Sequence, residues 1–169
     1  MPIGHFFARS IDDASQILIL LDGFVILIGI YNLMQSNENQ AAREEAQWRS
    51  LVQTWGAVIG LPGAVLAKSA DKSSPVSAAS AFAMASALIF AYSATAEWAQ
   101  SQKLTEEADL GTVVLSDWYW AAEAIAYFFI VIMAGNHFLL SVFLYRRLKW
   151  LKGGNRPVFQ DEPGYNDNI

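Results

Sequence analysis

The sequence predicts an all-α integral membrane protein, a bundle of four transmembrane helices. Three observations carry that expectation. Charged residues make up 16% of the 169-residue chain and apolar residues 54%, against roughly 25% charged in ordinary soluble domains. The charges are also confined: residues 14–34 hold one, and 50–67, 73–96 and 124–145 hold none. Finally, runs such as AIAYFFIVIM (124–133) are apolar on every side of a helix, whereas a soluble bundle would leave only a stripe apolar. These runs lack the strict alternation that a membrane β-barrel needs.

Each of these four windows approaches the ~20 residues that cross ~30 Å of hydrocarbon as a helix. The expected spans are about 14–34, 50–67, 75–97 and 118–146, within a membrane domain of residues 1–152. The first, QILILLDGFVILIGIYNLM, is interrupted by Asp22 and has no small-x-small cleavage site after it. It reads as an uncleaved anchor rather than a leader. The segment NENQAAREEAQWRS is rich in helix formers and places Glu45 and Arg49 at i and i+4, so a helical extension should run into the second span. Pro62 should kink that span. Pro75 suits the first turn of the third helix, and Ser116 or Asp117 suits the N-cap of the fourth. The fourth helix should continue to about Trp150, with its basic end beyond the bilayer. Residues 153–169, GGNRPVFQDEPGYNDNI, form a polar tail with little propensity for structure.

Loop charge sets the expected orientation. One side would carry Arg9, Lys68, Lys72, Arg156 and the basic cluster Arg146, Arg147, Lys149 and Lys152. The other would hold only Arg43, Arg49 and Lys103, among Glu38, Glu44, Glu45, Glu106, Glu107, Asp109 and Asp117. Lys and Arg stay on the cytoplasmic side during insertion, so both termini should face the cytoplasm, matrix or stroma. Trp48, Trp55, Trp98, Trp118, Tyr119 and Trp120 would then mark the outer interface and Trp150 the inner one. A bacterial inner membrane, an organellar inner membrane and a plasma membrane all fit.

Composition excludes several chemistries. With no cysteine there are no disulfides, thiolate metal sites or cysteine nucleophiles. Two histidines make no histidine metal cluster, and G-x-S-x-G, P-loop and H-E-x-x-H motifs are lacking. The loops are too short for a soluble catalytic domain. No enzyme activity, nucleic-acid partner or soluble small-molecule substrate is expected.

Two small-residue ridges stand out. Gly56, Gly60 and Ala64 on the second span and Ala79, Ala83, Ala87 and Ala91 on the third recur every four residues, with Thr95 continuing the latter. Such ridges let helix backbones approach closely in lipid. They suit packing within the chain, or docking of another membrane subunit.

Asp22 needs a partner, because a lone aspartate near the bilayer centre costs about 2.5–3.5 kcal/mol. Ser15, Asp22 and Gly29 share a stripe of the first helix, and Glu123, Ala126, Ala134, His137 and Ser141 share a face of the fourth. The two helices run oppositely, so Asp22 and His137 reach similar depth, with Asn136 adjacent. An Asp–His bond would join two helices; a water-exposed proton or ion relay is the sharper alternative. His137 could also ligate a single haem or pigment. No cofactor is otherwise expected beyond lipid. Glu97 and Glu123 fall at the outer interface, where two carboxylates could bind a cation or take protons, though solvated helix ends are the commoner case.

These features predict a non-catalytic accessory or structural subunit of a larger membrane complex, with an energy-transducing complex as the expected host, acting through helix–helix and tail contacts. The alternatives are a small proton or ion transport component using Asp22 and His137, and a homo-oligomeric protein that organises membranes.

Overall fold

The computed structural model describes residues 3–34, 40–68, 73–111 and 117–152. The expected tail, the Ser116 cap and the Glu45 side chain lie outside the described residues. Four helices follow one another: α1 (Ile3–Met34), α2 (Gln40–Lys68), α3 (Ser73–Asp109) and α4 (Asp117–Lys152). Each contains a stretch long and apolar enough to cross a membrane: Ile11–Asn32, Trp48–Lys68, Ser73–Asp109 and Trp118–Lys152. Their outward faces are correspondingly apolar. Leu20 is 75% exposed and Ile125 71%, positions that water would penalise and lipid accepts.

Two helices outrun the spans expected for them. α1 begins at Ile3 and α3 continues to Asp109. The extra turns of α3, AQSQKLTEEAD, consist mostly of good helix formers. They end at Gly111, whose φ of 69° is the left-handed turn that glycine adopts at low cost; its N–H donates to the Ala108 carbonyl (2.9 Å). Pro75 lies in the first turn of α3. Pro62 lies inside a continuous α2, on its outward face.

α3 packs along α2 and α4, while α1 packs along α2 and more lightly along α4. The buried positions explain why. Those of α1 are Ile11, Ser15, Leu18, Asp22, Val25 and Gly29; those of α3 include Val76, Ala79, Ala83, Ser86, Phe90, Ser93 and Glu97. Both alternate steps of three and four, a 3.5-residue period. That is the seam of helices wound left-handedly around one another. The four-residue ridge expected on α3 is therefore corrected: Ala79, Ala83 and Ala87 are buried, but Ala91 and Thr95 are exposed. Steps of four advance 400° on a 100° helix, so the ridge drifts 40° per step and leaves the seam by Ala91.

Gly56, Gly60 and Ala64 are all buried on α2. Gly63 joins them, and it meets the backbone of α3 itself. A Cβ there would lie 3.0 Å from the backbone nitrogen of Ala83 and 3.2 Å from the carbonyl oxygen of Ala79. Backbones meet because neither face has a side chain to hold them apart. On the α3–α4 side, Ser80 and Ser141 each donate to the other's carbonyl, at 3.1 and 3.0 Å.

The core divides into two apolar clusters. One contains Ile11, Leu18, Ala64, Ala67, Val76, Ala79, Ala83, Leu140, Leu144 and Leu148. The other contains Val25, Ala57, Phe90, Ala94, Ile130 and Met133. On each helix a buried polar or glycine position falls between these clusters.

Candidate functional site

Those positions are Asp22 on α1, Gly60 on α2, Ser86 on α3 and His137 on α4, and they form a single layer. Asp22, Ser86 and His137 have no exposed surface. Asp22 Oδ2 lies 3.1 Å from His137 Nε2, and His137 Nδ1 lies 2.9 Å from the Met133 carbonyl. Ser86 Oγ donates to the Gly56 carbonyl at 2.8 Å. The Phe90 ring stacks on the imidazole, centroids 5.5 Å apart. Gly60 leaves the space: a Cβ there would overlap His137 Nε2 and sit 2.7 Å from Ser86 Oγ.

The hydrogen-bond chain fixes the charge of this layer. A backbone carbonyl only accepts, so Nδ1 carries a hydrogen. Nε2 and Oδ2 then share one further proton, whether drawn as acid with imidazole or as carboxylate with imidazolium. Either way the pair is neutral overall, the arrangement that dry burial favours. Asp22 Oδ1 has no hydrogen-bond partner among the described residues. With both ring nitrogens engaged, axial ligation of a haem or pigment by His137 would break one of these bonds. Asn136 does not join the layer. It is one residue, and so 100°, from His137, and its amide donates to the Ile132 carbonyl at 2.9 Å.

A second polar group lies at the rim. Glu97 is only 7% exposed, which corrects the expectation of a solvated helix end. Arg49 Nη1 donates to Glu97 Oε2 at 2.7 Å, and Gln53 Nε2 to Glu97 Oε1 at 3.2 Å. Glu123 Oε1 stands 3.9 Å from the same Nη1 and accepts no hydrogen bond there. Glu97 is inside because it occupies the last seam position of α3, where a carboxylate is held by a cation from the neighbouring helix. Sequence reasoning missed Arg49 as its partner; the signal was the 3–4 alternation from Val76 to Glu97, which the alanines obscured.

Ala126 departs from the α4 face expected for it and is exposed. Tyr127 turns inward at that level, its ring 5.9 Å from that of Trp98. At the other end, Arg146, Lys149 and Lys152 are exposed and Arg147 half-buried, interleaved with buried Leu144 and Leu148. The last turns of α4 therefore still pack on α1, α2 and α3 through their leucines. Among the described residues no group of three histidines or carboxylates could hold a metal ion.

Fold and site together define a class: a four-span, multi-pass membrane helix bundle with one buried polar layer and one polar rim. Comparison with known protein families, curated proteins and solved structures found no match.

Proposed function

We propose that this chain is a non-catalytic structural subunit of a larger membrane complex, inserted with both termini on the cytoplasmic, matrix or stromal side. The observation that carries the reading is the sealed centre. Asp22 and His137 are bonded to each other without exposed surface, and the apolar cluster of Val25, Ala57, Phe90, Ala94, Ile130 and Met133, with buried Ser93 beside it, separates them from Arg49, Glu97 and Glu123. Polar groups spent on joining helices suit a rigid scaffold better than a proton path, which needs a continuous chain of donors and acceptors. An energy-transducing complex is the host we favour. The outward small residues Ala91, Thr95 and Ala126 are the positions where a partner helix could approach closely.

The test is a gentle-detergent purification of the tagged chain, resolved by native gel with identification of co-purifying proteins. A defined heteromeric complex is expected. A homo-oligomer without a host would replace this reading with the membrane-organising one, and proton flux through the purified chain in vesicles would replace it with the transport one.

A further inference from the structure

The rim has a feature that the scaffold reading does not use. A cleft of about 240 Å³ opens between α3 and α4, lined by Glu97, Trp98, Trp120, Glu123, Tyr127 and Phe128. Four of its eight lining residues are aromatic and two are carboxylates. Such walls attract a cation twice over, through the negative faces of the rings and through formal charge.

The charge balance is incomplete. Two carboxylates share one guanidinium: Glu97 takes the 2.7 Å bond from Arg49, and Glu123 is left at 3.9 Å. Arg49 thus leaves Glu123 Oε1 without a hydrogen bond beside the cleft. The position supplies the cation. The cleft lies at the end of the bundle where Trp48, Trp98 and Trp118 are more than half exposed, the headgroup level for indole rings. It is open sideways, since Trp98 is 57% and Phe128 63% exposed. A lipid headgroup can therefore enter from the bilayer.

We propose that this cleft binds a primary ammonium, supplied by the ethanolamine headgroup of a phospholipid. Carboxylates only accept hydrogen bonds; a primary ammonium offers three N–H donors, whereas the quaternary ammonium of choline offers none. Ser101, which also lines the cleft, supplies a hydroxyl donor for the adjoining phosphate.

The experiment is native mass spectrometry of the full chain in detergent, titrated with phosphatidylethanolamine, phosphatidylcholine and phosphatidylglycerol of identical acyl chains. Phosphatidylethanolamine is expected to bind about five-fold or more tightly than either other lipid, the worth of about one net hydrogen bond. That preference should disappear in Glu123→Gln and in Trp120→Ala, with elution volume and helix content unchanged. Two variants are used so that one failing to fold leaves the other. Free ethanolamine at matched concentration should not compete; if it does, the ammonium site stands and its lipid source is overturned. Equal affinity for the three lipids, or a preference intact in a folded variant, overturns the site. Neither result depends on whether the chain has a host complex.

Discussion

The Asp22 carboxyl occupies space that a single methyl group on Gly60 would invade. An ideal Cβ at Gly60 lies 2.9 Å from Asp22 Oδ2 and overlaps His137 Nε2. Three helices thus place atoms against the bare backbone of a fourth, and the polar layer exists only because α2 has no side chain there.

Gly60→Ala should therefore destabilise the bundle by about 1–3 kcal/mol, the usual cost of overpacking, despite alanine's advantage of roughly 1 kcal/mol in helix propensity. Gly23→Ala is the control, because a Cβ at Gly23 meets nothing within 4 Å. It should be neutral or stabilising. Equilibrium unfolding of both variants in one detergent checks the contrast.

The shared proton of the central pair makes two substitutions at Asp22 differ. Asp22→Ala leaves Nε2 without a partner and should cost about 1–2 kcal/mol, the range for interhelical hydrogen bonds in membranes. Asp22→Asn keeps a donor toward Nε2 and no charge, so it should stay within about 1 kcal/mol of wild type. A double-mutant cycle of Asp22→Ala with His137→Ala should return a coupling of roughly 0.6–1.7 kcal/mol. A coupling near zero would show that the two side chains do not support each other.

At the rim, Arg49→Ala removes the cation that Glu97 and Glu123 share. The loss should be about 1–3 kcal/mol, below the value for a fully dry pair because the Arg49 side chain retains 22% of its exposure. Adding Glu97→Gln should recover most of it by removing the stranded charge. Thermal unfolding of the single and double variants reads both effects, and a double variant no better than Arg49→Ala would refute the ion-pair account.

The α3 seam offers a positional test. Ala83→Leu should destabilise by about 1–3 kcal/mol or more, since Ala83 is fully buried against α2. Ala91→Leu, on the exposed face, should leave the isolated chain unaffected. If Ala91→Leu instead disrupts a purified complex, that face touches a partner.

Much of the architecture was legible from residue order. Charges are costly in hydrocarbon, so their absence from three long windows, and a single one in a fourth, marks four helices of spanning length without any tertiary information. Asp22 signalled a partner for the same reason, and opposite helix directions brought His137 to its depth. Other features were not legible. Alanine is tolerated equally against a backbone and against lipid, so the four-residue repeat from Ala79 to Ala91 could not reveal that its last member faces outward. Glu97 read as a solvated end because the expected span stopped there, although a 3.5-residue seam already included it.

What the sequence determined by itself is the medium and the secondary structure: all-helical, four candidate spans, one carboxylate that must be satisfied inside. These follow from transfer energies and helix propensity, which act residue by residue. Only the tertiary structure decided that Gly60 and Ser86 complete the layer around Asp22 and His137, and that Arg49 serves Glu97 across 48 residues of chain. The phase of each helix about its axis sets those contacts, and that phase is fixed by packing all four helices at once.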